Sequence, residues 1–265
     1  MGFLFEKHSI SDNVLLETDK IVNIIKNNLS NTNILSDFRG NYFEGSINNY
    51  NLFNIPYSIT YKCYISYTNA KFIKKSVSTT YINDGVMELN LYMYMPKYFE
   101  SSIIHEILHI YQYSKNKHIY LNNNYNKKLY NAFQYIKKNS DNYSDIENVF
   151  ANALYASFPF EQDAMAHGFY GTLSKCNIYE IQVVYDETDE WKYLLDIEKS
   201  IENINQFNPE LFNNVISKNA FLSRLKNSQK RFKQKLNNAK KRIFEKKDEE
   251  LFENEILGFP NIPHN

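Results

Sequence analysis

Cysteine is almost missing from this 265-residue chain. The two present, Cys63 and Cys176, lie far apart and in no CxxC arrangement. That excludes a paired-CxxC metal or redox motif and reads as two free, partly buried thiols in a reducing compartment. Glycine, proline and tryptophan are also scarce, while Asn, Lys, Ile and Tyr abound; the pattern marks AT-rich coding DNA and carries no chemistry. Net charge is lacking as well, because 30 Lys and Arg balance 30 Asp and Glu. No global field therefore draws the chain to nucleic acid or membranes, and charge-driven binding would need a local patch. No apolar run nears the roughly 18 residues of a membrane span. At the N-terminus the apolar run is too short for a signal-peptide core and acidic Glu6 follows at once, standing where a myristoylation signal has Ser or Thr. The expectation is a cytoplasmic or virion-associated protein with no membrane span.

What is present suffices for a sizeable core, in one large domain or a domain with an appendage. Residues 12–29 set Leu15, Ile21, Ile24, Ile25 and Leu29 at helical spacing. Residues 30–50, rich in Asn, Ser and Gly, read as loop with short strands. From about 53 to 95, β-branched and aromatic residues alternate, with a turn signal at Asn83-Asp84-Gly85 and a stop at Pro96. This predicts a small antiparallel sheet of about three strands. Beyond Pro96 the pattern is helical over about 98–115, 124–138 and 144–157, then from Pro159 to about 173, where proline suits a first turn. The apolar run 178–185 reads as a strand, and 187–204 as a helix. Asn208-Pro209 is a cap-and-start signal. The predicted fold class is α+β: a small sheet, then a mainly helical half.

One motif carries chemistry. His105-Glu106-Ile107-Leu108-His109 is an HExxH sequence within the helix 98–115. Residues four apart on a helix lie one above the other, so both imidazoles can reach one ion about 2.0–2.1 Å away. Glu106 is adjacent to the first ligand and can reach a water on the metal without ligating it. A catalytic zinc needs a third protein ligand and one open position. Within residues 159–168 the candidates are Glu161, Asp163 and His167. Glu161 shares a helix face with Ala164, Met165 and Gly168, two of them small enough for close approach to a metal. Asp163 lies on the opposite face with Ala166, His167 and Tyr170, so Glu161 and Asp163 cannot serve one ion from a regular helix. Gln112, three residues after His109, reads equally as a group facing the site or as an exposed helical residue. His8, His118 and His264 read as surface residues.

His105-Glu106-Ile107-Leu108-His109-Ile110-Tyr111-Gln112 followed by Glu161-Gln162-Asp163-Ala164 resembles the HExxH…ExxA pattern of gluzincin metallopeptidases, notably small phage and bacterial members. The resemblance is carried by about 20 residues. It implies a zincin-like fold in which the helix 98–115 carries the active site and the helix 159–173 supplies the third ligand, Glu161. It further implies a Zn2+ cofactor held by His105, His109 and Glu161, with Glu106 as general base in peptide hydrolysis. The strand 86–95 resembles the edge strand on which zincins pair an extended substrate. Two departures stand out: Met165 occupies a place where many relatives carry Asp or Asn, and Asp163 replaces the usual second Glu.

Residues 219–247 form a long basic helix with an apolar stripe of Leu222, Leu225, Phe232, Leu236, Ala239 and Ile243, and an acidic stretch follows over 248–255. An acidic protein or nucleic acid could bind through 221–247; the plainer reading is a solvated basic face over a packed seam. The domain organisation expected is 1–205 as the zincin-like unit and 206–265 as a basic helical extension. The activity expected is that of a zinc metalloendopeptidase acting on a protein or peptide. The alternative is a structural or binding protein, such as a virion component, that retains the fold without turnover.

Overall fold

The computed structural model describes residues 10–66, 77–115, 124–177 and 179–256. Within these the chain is α+β. Helix α1 (Asp12–Asn28) buries Val14, Ile21, Val22 and Ile25. Five strands follow: β1 (Leu35–Asp37), β2 (Gly40–Leu52), β3 (Ile55–Tyr64), β4 (Val77–Tyr81) and β5 (Val86–Tyr92). They form one sheet in the order β1-β2-β3-β5-β4.

The sheet is larger than the pattern predicts, and it is mixed. β2 runs 13 residues through the Asn- and Ser-rich segment that reads as loop with short strands. Its ladder to β3, from Tyr42↔Tyr64 to Leu52↔Ile55, overrides the weak strand preference of its residues. Phe53 and Asn54 both take positive φ at the two-residue turn between them, the conformation that matches strand twist in tight hairpins. β3 and β5 are parallel, whereas β4 pairs with β5 antiparallel. Among the described residues β4 is therefore an edge strand and β5 lies inside, a correction to the expected edge at 86–95: local alternation reveals a strand but not its neighbours. Gly85 fulfils the turn signal with φ +61, and a Cβ there would stand 2.9 Å from the Pro56 carbonyl oxygen.

Eight helices are described, the seven after the sheet being α2 (Pro96–Lys115), α3 (Asn124–Lys138), α4 (Asp145–Tyr155), α5 (Pro159–Ser174), α6 (Glu180–Glu187), α7 (Asp189–Glu202) and α8 (Lys218–Ile256). α6 replaces the strand expected over 178–185. Ile181, Val184 and Tyr185 are buried at helical spacing, and the Asn177 side chain accepts hydrogen bonds from the backbone N–H groups of Tyr179 and Glu180, closing the first turn. No described helix is long and apolar enough to cross a membrane. Both cysteines are buried and not disulfide-bonded.

Two apolar clusters fill the interior. In the first, α1 and α2 pack with Phe43, Ile59, Tyr61, Cys63, Met87, Leu89 and Leu91 of the sheet. Each fully buried aliphatic side chain contributes about 1.5–3 kcal/mol. The second joins α3 through α8, and there Phe221, Leu225, Phe232, Leu236, Ala239 and Ile243 of α8 meet Phe150, Phe158 and Phe169. Phe221 takes the inward place that the sequence pattern gives Leu222, which is partly exposed. α5 runs between the two clusters and is buried along most of its length.

Candidate metal centre

α2 follows β5 after a short turn and opens with Pro96, whose missing N–H costs nothing in a first turn. Ile103, Ile107 and Ile110 anchor one side of the helix in the sheet cluster. That packing turns His105 and His109 toward α5. The close approach of the two helices uses a small residue: a Cβ on Gly168 would stand 3.3 Å from the Ser101 carbonyl oxygen. Ala164, on the same face, packs into the sheet cluster beside α2.

Three side chains converge there. His105 Nε2 and His109 Nε2 are 3.2 Å apart, and each is 3.4 Å from Glu161 Oε2. They form a His-His-Glu group able to hold a metal ion. Glu161 is only 2% exposed, yet Oε2 has no hydrogen-bond partner and stands at ion-pair distance from the two imidazoles. A buried carboxylate oxygen left so is costly unless a cation sits beside it. The charges of the group act on one another. Burial would lower His109, but the carboxylates of Glu161 and Glu106 outweigh it and raise the imidazole to about 9. Burial would raise Glu161, but His109 and His105 hold it well below the usual carboxylate range. The pocket thus selects a carboxylate balanced by positive charge.

Neighbours fix the ligand groups. Gln112 Nε2 donates to the Phe160 carbonyl (3.2 Å) while its Oε1 lies 3.3 Å from His109 Nδ1. With its amide so oriented, Gln112 accepts the Nδ1 proton and holds Nε2 facing Glu161, where a bound metal would take the place of the Nε2 proton. Of the two sequence readings for Gln112, the structure selects the one facing the site. The Tyr155 hydroxyl contacts the Glu161 carboxylate; burial first, then that negative charge, pushes the phenol well above its ordinary range. Ser78, on β4, donates through Oγ to Glu106 Oε1 at 2.9 Å. Glu106 is buried and points into a cleft of about 270 Å3 that His105, Ser78, Tyr98, Tyr155 and Tyr193 also line. The side chain of His105 is more exposed than that of His109, so the group opens to the cleft on one side and is sealed by α5 on the other.

The remaining candidates lie elsewhere. Asp163 turns away and pairs with Lys235 of α8. The His167 ring bonds through Nδ1 to the Asp163 carbonyl (2.8 Å), and its Nε2 accepts from the Ser11 backbone N–H (3.0 Å). Burial, with Arg242 and His105 nearby, pulls His167 down to about 3, so it serves as a neutral link between α5 and the start of α1. Met165 is buried beside the cleft and leaves no carboxylate at that place. His8, His118 and His264 fall outside the described residues. Sequence reasoning missed Ser78 and Tyr155. Ser78 is 28 positions from Glu106, and no local signal separates Tyr155 from the 22 tyrosines of the chain. The chain matches no protein-family model, no curated protein and no solved structure, so what this site can do is argued from its geometry.

Proposed function

We propose that the chain is a zinc-dependent peptidase of gluzincin type, with His105, His109 and Glu161 as ligands and Glu106 as general base. The observation that carries the reading is the spacing of three ligand atoms, two imidazole nitrogens and one buried carboxylate oxygen without a hydrogen-bond partner. Tetrahedral ligands about 2.0–2.1 Å from zinc stand roughly 3.3–3.4 Å from one another, which matches separations of 3.2, 3.4 and 3.4 Å. An octahedral ion with the same bond lengths would bring neighbouring ligands to about 2.8–3.0 Å. Two imidazoles with one carboxylate also suit zinc better than a hard, oxygen-seeking ion.

When bound, zinc would polarise a substrate carbonyl and lower the pKa of its water toward ~7. The residues of the chain supply the rest. Glu106, held at Oε1 by Ser78, takes the proton of the attacking water and returns it to the leaving amine. Gln112 keeps His109 in the tautomer with a free Nε2. The hydroxyl groups of Tyr98, Tyr155 and Tyr193, which line the same cleft, are the candidate donors for the oxygen that gains charge during attack. The edge strand β4 borders the cleft beside Ser78 and offers backbone groups to an extended peptide.

The test joins metal analysis to turnover. Purified chain should hold one zinc and cleave members of a peptide library. Glu106→Gln should keep the zinc and lose about 10²–10⁴-fold in rate. A wild-type chain that binds zinc but cleaves nothing would favour a binding protein on the same fold; a chain that binds no zinc would end the proposal.

A further inference from the structure

The turn before Glu161 and the two residues after it are all bonded to α8. Gln162 is fully buried. Its Nε2 donates to the Ala156 carbonyl (2.6 Å) and to Ser228 Oγ (2.7 Å), and its Oε1 accepts from Arg231 Nε at 2.6 Å. Arg231 also donates to the Ser157 carbonyl at 3.1 Å. Arg224 bonds to Ser157 Oγ and lies over the Phe158 ring. Lys235 pairs with Asp163. These bonds gather on residues 156–163 around the start of α5, whereas the apolar stripe of α8 packs more widely against the second cluster.

The location matters because a helix start has the fewest backbone bonds of its own. Bonds from a neighbour then set where the first turn begins, and Glu161 stands in that turn. A metal ligand must be held to within about 0.5 Å of its productive place.

We propose that α8 is part of the metal site: Arg231 and Ser228, acting through Gln162, position the Glu161 carboxylate and so set the affinity for zinc. This rests on the metal reading above. Arg231 is a positioning residue, two side chains removed from the ion. The inward cations Arg224, Arg231 and Lys235 are accordingly committed to this contact rather than to an outside polyanion.

The test is zinc affinity of the full chain, by competition with a chromogenic chelator, measured beside thermal unfolding of the zinc-free chain. Arg231→Met should weaken zinc about 10–100-fold at a temperature where the variant is folded, and Arg231→Lys should recover part of the loss. Ser228→Ala removes the Oγ partner with little change in volume and should weaken zinc in the same direction. Lys230→Met, on the exposed side of α8, should leave the affinity unchanged. If Arg231→Met does not fold, Ser228→Ala decides alone. Unchanged zinc affinity in the folded variants, with only a lower Tm, overturns the inference and leaves the metal reading intact. A wild-type chain without zinc affinity overturns both.

Discussion

Helices α2 and α5 bring ligands to the same three-atom group but are held by different means. α2 is anchored by aliphatic side chains in the sheet cluster, Ile103, Ile107 and Ile110 among them. α5 is buried on nearly every side and carries Glu161, Gln162, His167 and Thr172 into the interior. Besides the apolar packing of Met165, Phe169 and Leu173, polar bonds to remote elements hold it: Gln162 to α8, His167 to Ser11, Asp163 to Lys235. Apolar packing is non-directional and tolerant. A buried polar group demands its partners at fixed geometry. The first helix therefore gains chiefly stability from its surroundings, and the second gains placement as well.

The largest effect should come from removing a ligand on either side of that divide. On the proposed zinc reading, His105→Ala and Glu161→Ala should each abolish stoichiometric zinc, measured by elemental analysis after dialysis, because each removes one of the three proposed ligands. Full zinc retained by Glu161→Ala would mean that the third ligand is not on α5. Next, Ile107→Ala should cost about 2–5 kcal/mol of folding stability in denaturant melts; a loss under 1 kcal/mol would show that α2 does not depend on its apolar anchor. A smaller change is expected from Gln112→Leu, about 10–100-fold in zinc affinity, with unaltered affinity counting against its hold on His109.

A last effect concerns pH. His167 is held down to about 3 in the folded chain, against about 6.5 for a free imidazole. The unfolded state therefore binds the extra proton first. Stability from this group is complete above about pH 6.5 and falls as pH drops toward 3, by at most about 1.4 kcal/mol per unit. His167→Gln can keep a donor for the Asp163 carbonyl and an acceptor for the Ser11 N–H. Denaturant melts of the variant should show a shallower loss between pH 6.5 and 4 than those of the wild type. Parallel curves would refute a neutral buried His167.

Much of α2 is legible in the sequence, since HExxH spacing and flanking isoleucines depend only on helical geometry. The outline of α5 is legible too: Pro159 marks its start, and the face shared by Glu161, Ala164 and Gly168 points at α2. The length of β2 is not, because Asn and Ser become strand there only through pairing with β3. The parallel match of β3 with β5 and the outer place of β4 depend on contacts between segments distant in sequence. The same holds for Ser78 at Glu106 and Arg231 at Gln162.

The chain by itself thus determined the helical imidazole pair, the adjacent carboxylate and the α+β order of elements, because each follows from periodicity over a few residues. Tertiary structure decided that Glu161, rather than Asp163 or His167, completes the group, and that the basic stripe of α8 turns several cations inward. Both depend on which buried polar atoms find partners, and that is settled only when distant segments pack together.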